Sequence, residues 1–280
     1  MPRFPLKSIT RTIASGLAAA SLLASTSLSA QGDLLVAPTR VVIDNRGTAQ
    51  IILSNIGDKE ATYRISAELM RMTEDGDLVP VDTDAETQEE QEALELVRFA
   101  PRRVILPPGQ PQTIRLSARP PADLPDGEYR IHLSFKGLPD VTPVSQDPAN
   151  VEPGQFAFQL IPVYSISIPV IVRKGNLEAT AAISNPRLEQ GPHGEVLKLD
   201  MSRSGSASVF GEIRVMRPGR SDPVMKVRGI AIYPEITHRE LVLPLTPEQA
   251  TLLKGRLRFE YREFPENGGT LLASVEGSLG

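Results

Sequence analysis

The chain has no cysteine and no tryptophan, and aromatic residues make up only 5% of its 280 positions. Without cysteine no disulfide staples the fold, no thiolate holds a metal, and no lipoprotein-type lipidation site exists. A fold of this size then rests on its hydrophobic core alone. No run approaches 18 uninterrupted apolar residues, so nothing reads as a membrane-spanning helix. There is no basic run either, and the formal net charge is −4. Such an acidic chain is a poor partner for nucleic acid or anionic lipid.

Catalytic signatures are missing as well. There is no phosphate-binding Walker loop and no G-x-G-x-x-G. Ser202-Arg203-Ser204-Gly205-Ser206 is a Gly/Ser loop and not a nucleophile elbow. His132, His193 and His238 stand far apart, with no H-x-H or H-x-x-x-H spacing that would suggest a zinc site. Carboxylates are plentiful, but none is paired in an apolar setting that would raise a pKa for acid–base work. The chain therefore reads as non-enzymatic, with no metal and no cofactor.

What is present begins with an export signal. Arg3, Lys7 and Arg11 form a basic start, Ile13 to Leu23 an apolar core, and Ser27-Leu28-Ser29-Ala30 a small-residue cleavage zone. That is the layout of a secretory signal peptide over residues 1–30, removed after Ala30. The remaining chain is more acidic still, because the signal carries basic residues and no acidic ones. Its length suits two domains, 31–173 and 174–280, divided near Arg173-Lys174-Gly175.

Both halves show short alternating segments separated by turn residues. Ala49–Leu53, Thr62–Ala67, Thr113–Leu116 and Tyr129–Phe135 are the clearest in the first half. Ala179–Ile183, Val196–Met201, Glu212–Met216 and Arg256–Tyr261 follow in the second. The separators include Asn-Ile-Gly-Asp, Pro-Pro-Gly, Pro-Asp-Gly and Glu-Asn-Gly-Gly, all turn chemistry. With 25 prolines and 21 glycines, the pattern predicts an all-β protein of two immunoglobulin-like β-sandwich domains set at an angle. One short helix is expected at Thr246–Leu253, where Thr246, Pro247 and Gln249 form a cap and first turn. The stretch Thr73–Glu95 carries ten acidic residues and ends in the helical-looking QEEQEALEL; it reads as a solvated, mobile insertion, with no D-x-D-x-D-G ladder for calcium.

The most informative segment is Phe156 to Val172, FAFQLIPVYSISIPVIV. Alternation places Phe156, Phe158, Leu160, Tyr164, Ile166 and Ile168 on one face of an extended strand of roughly 50 Å. Two readings fit that pattern. One is a long core strand shared by two sheets; the other is an edge strand that lends its side chains to another polypeptide or to a second copy of the chain.

An ordered set of segments resembles the PapD-like periplasmic pilus-assembly chaperones. Leu35 to Ile43 looks like that family's first strand and Ile51 to Asn55 its second. Arg103 to Gln110, running on to Thr113-Ile114-Arg115-Leu116, looks like its apolar-Pro-Gly turn and following strand. Leu124 to Arg130 looks like the approach to its sixth strand, and Phe156 to Val172 falls where its donor strand belongs. The resemblance implies a periplasmic chaperone that binds pilus or surface-fibre subunits by donor-strand complementation, with an outer-membrane usher as a further partner. It also implies a cation pair that holds the subunit's C-terminal carboxylate. The arginine of that pair matches Arg40. The lysine does not carry over: Ser167, or Pro169 in a shifted register, stands in its place, and no Lys or Arg occurs from Phe156 to Val172. Arg173, at the junction, is the nearest replacement. The client-binding set implied is Arg40, Phe156, Phe158, Leu160, Tyr164, Ile166 and Ser167. The missing lysine supports the rival reading, a structural or adaptor sandwich of the cell envelope that has lost subunit capture.

Overall fold

The computed structural model describes residues 33–139 and 163–280. The signal segment and the candidates Phe156, Phe158 and Leu160 lie outside them. Asp33–Gly280 forms one compact unit, and no helix among the described residues is long and apolar enough to cross a membrane.

The first half contributes β1 (Leu34–Ala37), β2 (Val41–Asp44), β3 (Gly47–Asn55), β4 (Ala61–Glu68), β5 (Met70–Met72), β6 (Leu78–Pro80), helix α1 (Gln88–Leu96), β7 (Val97–Ala100), β8 (Arg103–Leu106), β9 (Pro111–Ala118), β10 (Gly127–Leu138) and β11 (Ser165–Lys174). One sheet runs β1-β3-β9-β7 and the facing sheet β2-β11-β10-β4-β8. Alternation explains the layering: in β10, Tyr129, Ile131, Leu133 and Phe135 enter the core while Glu128, Arg130, His132 and Ser134 take the opposite face. In β3, Ile51 and Leu53 are buried and Ile52 between them is exposed. The segment expected as a single first strand is two strands in different sheets. The chain leaves one sheet at Pro38 and joins the other as β2, because Pro38 has no N–H to continue a ladder.

Turn chemistry fixes the connections. The buried Asn55 side chain donates to the carbonyls of Lys59 (2.6 Å) and Leu106 (2.8 Å) and accepts from Gly57 N–H (2.9 Å). It thereby satisfies itself while folding the Asn-Ile-Gly-Asp corner. Tyr129, buried at the start of β10, donates its hydroxyl to Pro125 C=O at 2.9 Å, bracing the preceding corner as in immunoglobulin-like sandwiches. Replacing Tyr129 with Phe should lower stability by about 1 kcal/mol through that one bond. Urea titration checks this, and an unchanged midpoint would show the bond to be dispensable.

The acidic stretch after β5 is not a solvated loop. It forms the β5–β6 hairpin, a 3-10 turn (Thr83–Ala85) and α1, whose N-terminus is closed by a capping box: Thr87 Oγ1 accepts from Glu90 N–H and Glu90 accepts from Thr87 N–H. Ala93 and Leu96 are buried in the first core, with Val81 and Leu94 packed beside them. The acidic side chains occupy the outer face of the helix, so a composition that reads as disorder conceals an apolar stripe.

The second half supplies β12 (Ala179–Gly191), β13 (Gly194–Gly205), β14 (Val209–Met216), β15 (Met225–Ile232), β16 (His238–Pro244), α2 (Pro247–Leu252), β17 (Gly255–Arg262) and β18 (Leu271–Leu279). Sheets β12-β13-β16 and β15-β14-β17-β18 face each other across a separate core of Leu197, Leu199, Met201, Val215, Phe259 and Tyr261. Helix α2 carries the expected Thr246–Gln249 capping box with Pro247 in its first turn. His193 sits exposed in the turn between β12 and β13.

Candidate binding cleft and open strand edge

Arg40 stands in the short link between β1 and β2, where the chain crosses from one sheet to the other. Its guanidinium reaches into the second half of the chain. Nη1 donates to Tyr233 Oη at 3.1 Å and Nη2 to Ser208 Oγ at 2.9 Å. The same group lies 4.4 Å over the Phe210 ring and 5.5 Å from the Tyr233 ring centroid, a cation–π setting. Among the described residues it makes no salt bridge; its partners are neutral oxygens and aromatic faces. Burial pulls its pKa below the ordinary arginine value, and the nearby negative charge of Glu128 only partly opposes this.

The nearest carboxylate is already committed. The Glu128 side chain is fully buried, and its Oε2 accepts from Arg173 Nε (3.0 Å), Ser208 N–H (3.0 Å) and Ser208 Oγ (2.9 Å). Glu128 thus staples the end of β11 to the start of β14. Arg130, two residues on along the same face of β10, stacks 3.6 Å over the Tyr233 ring. It donates to both oxygens of Glu235 (2.6 and 3.2 Å) and to Met70 C=O (2.7 Å). Glu235 also accepts from Met72 N–H at 2.8 Å, and a small apolar cluster of Met72, Ile171, Ala231 and Tyr233 fills the space behind. The loops that present Ser208 and Tyr233–Glu235 are held by buried Arg203, which donates to the carbonyls of Gly205, Ala207 (both 2.8 Å) and Pro234 (3.1 Å).

His132 completes the cluster. It is buried on the outer face of β10, and neither ring nitrogen has a hydrogen-bond partner among the described residues. Burial, reinforced by the positive charges of Arg130 and Arg40, pushes its pKa down to about 3.

Beside this cluster runs the strand singled out in the sequence. β11 pairs antiparallel with β10 along its whole length, but parallel with β2 only from Val170 to Arg173. Over Ser165–Pro169 its other edge has no partner among the described residues. Pro169, the last residue before β2 begins, sits where a strand tolerates the loss of an N–H. Ile168, Val170 and Val172 fill the first core, and Ile166 packs partly against it. Tyr164, by contrast, is exposed.

The sequence-derived set is therefore divided. Arg40 is in the cleft and Tyr164 is free at the head of the open edge. Ile166 leans on its own core, and Ser167 faces the opposite side, its Oγ 3.9 Å from Met70 Sδ. The serine beside Arg40 is Ser208. Sequence reasoning missed Ser208, Phe210, Tyr233, Glu128 and Arg130. Only the Glu-Tyr-Arg run after the Pro-Asp-Gly turn carried a signal, a charge pair flanking a buried tyrosine. No group of His, Cys, Asp or Glu among the described residues is arranged to hold a metal ion.

No protein-family profile matches the chain, and no curated protein does. Several solved structures have a similar backbone. One is the CsuC–CsuE chaperone–tip adhesion subunit pre-assembly complex from archaic chaperone-usher Csu pili of Acinetobacter baumannii, at 11% identity over 89% of this chain and 100% of that chain, with a TM-score of 0.46. A second is the Salmonella enterica SafA pilin in complex with the SafB chaperone, at 15% identity over 89% and 97%, with a TM-score of 0.44. A third is the E. coli chaperone DraB, at 14% identity over 88% and 96%, with a TM-score of 0.44.

Proposed function

We propose that the chain is a periplasmic chaperone, exported by the signal over residues 1–30, that holds a pilus or surface-fibre subunit by strand addition along the open edge of β11. The observation that carries this reading is a half-buried arginine with no carboxylate partner among the described residues, placed where a strand edge that is unpaired among them stops. A polypeptide that adds to Ser165–Pro169 is in line with β2, and β2 runs parallel to β11. An added strand of the same direction therefore ends at Arg40 with its C-terminal carboxylate. There the guanidinium can exchange the neutral oxygens of Tyr233 and Ser208 for a charged acceptor, a shorter and stronger bond. Main-chain ladder bonds along the edge supply affinity, and side chains alternating into the partner's groove supply selectivity. Phe156, Phe158, Leu160 and Tyr164 are the side chains we assign to that groove. No cofactor or catalysis takes part, release comes from exchange with a better-fitting strand, and an outer-membrane usher would receive the subunit.

The test is co-purification from periplasm with mass spectrometry of what accompanies the chain. An extended-strand subunit should co-purify, and Arg40→Ala should weaken its binding by roughly 2–5 kcal/mol, the effect of truncating one member of a desolvated charge pair. Equal capture by both proteins overturns the carboxylate role. The contacts of Arg40 with Ser208 and Tyr233 favour a second reading, a purely structural staple in an envelope adaptor. In that case Arg40→Ala lowers the melting temperature and no subunit is recovered from either protein.

A further inference from the structure

Away from the cleft, the outer face of the sheet β2-β11-β10-β4-β8 carries a row of like charges. Lys136 on β10 lies directly opposite Arg64 on β4, and Arg64 lies directly opposite Arg103 on β8. All three are exposed, and none makes a salt bridge among the described residues. Glu68, on the same face four residues along β4 from Arg64, accepts instead from Ser66. Like charges placed opposite each other on neighbouring strands are destabilising, and here two such pairs are consecutive. At about 4.8 Å between strands the row spans roughly 10 Å. Its fourth member is Ser165 of β11, opposite Lys136, the first residue of the open edge. The next row on the same face, Leu138–Thr62–Ile105, ends in an isoleucine that is 57% exposed.

We infer that this row is a docking surface for an acidic face of the partner that adds its strand to β11. The inference rests on the proposed strand addition, because it is the continuity of the row with Ser165 that commits it to that partner. A body seated on the Ser165–Pro169 edge overhangs β10 and β4. A line of carboxylates on it would neutralise three charges that the free protein leaves opposed, with Ile105 as an apolar shelf beside them. The row would set charge preference and association rate, while Arg40 holds the chain end.

Such a site has a two-sided signature: neutralising it should help the free protein and harm binding. The probe is an acetylated, amidated hexaglutamate peptide, with hexaglutamine as control, titrated at low salt by calorimetry. Arg64→Gln and Lys136→Gln should each raise the melting temperature while weakening hexaglutamate binding roughly fivefold, the worth of one exposed ion pair. Arg115→Gln, on the other sheet, should change neither. Loss of binding in Arg115→Gln equal to that in Arg64→Gln, or no effect of Arg64→Gln on binding, overturns the docking surface. The co-purification above separates the two ideas. A recovered subunit whose capture ignores Arg64→Gln and Lys136→Gln overturns this inference and leaves strand addition standing. Hexaglutamate binding that maps to the row, with no subunit recovered, supports an acidic ligand for the row and removes the proposed function.

Discussion

Deleting Asp82–Glu92 is expected to cost the folded state about 4–8 kcal/mol, close to the whole stability of a domain. The segment holds the Thr87 cap and the first turn of α1. A nine-residue helix is not stable without its nucleus and tertiary support, so Ala93 and Leu96 lose the register that buries them even though they remain in the chain. The deletion also removes Glu90, whose two oxygens accept from Arg71 at 2.7 and 2.6 Å. The loss reaches past the first sandwich. Arg71 lies in β5, between the Met70 carbonyl that binds Arg130 and the Met72 side chain that fills the apolar cluster behind Tyr233. Urea titration of the deletion variant beside a Glu92→Ala control checks the expectation, since the half-buried Glu92 side chain accepts only from its helix neighbour Gln88. An unchanged midpoint would return the segment to the status of a solvated loop.

The second large effect is acid sensitivity seated at His132. The folded protein holds this imidazole neutral down to about pH 3, whereas in the unfolded chain it takes up a proton near 6.5. Between those values the unfolded state binds more protons, so stability must fall as pH falls from about 6.5 toward 3. The displacement corresponds to about 5 kcal/mol at its limit. Glu90 adds in the same direction at the acid end, because the Arg71 pair holds its carboxyl down to about 2. His132→Leu removes the titrating group together with two unpartnered ring nitrogens. It should flatten the stability profile between pH 6 and 4 without unfolding the protein at pH 7. Parallel profiles for the two proteins over that range would place the acid sensitivity elsewhere.

The sandwich halves were legible because strand alternation and turn residues both act locally. Each of the eight clearest alternating segments lies within a strand, and the Thr246–Gln249 cap marks a helix. The cluster between the halves was legible at Arg40 and Arg173, through their sequence context, and faintly in the Glu-Tyr-Arg run. Ser208, Phe210 and Tyr233 come from a distant part of the chain, and nothing in their own neighbourhoods distinguishes them from core or turn residues. Their meaning arises when the two halves meet. Helix α1 was legible as the helical-looking run QEEQEALEL, but its packing was not: the Thr87 cap and the Ala93–Leu96 stripe were present and outweighed by net charge. The charge row Lys136–Arg64–Arg103 was invisible in principle, since three residues separated by dozens of positions become neighbours only through strand register.

β2 is only four residues long, and its placement sets a rule of counting. It closes one end of the open edge at Val170, just past Arg40, while the other end runs out toward Val163. On the proposed function, a guest strand would thus be fixed at its finish and free at its start. Adding two residues at the free end brings in one more inward side chain and disturbs none of the others. Removing one residue at the fixed end turns every inward side chain outward, because strand faces alternate with a period of two. Guests of unequal length can share this berth, and what they must have in common is parity, counted backwards from their last residue.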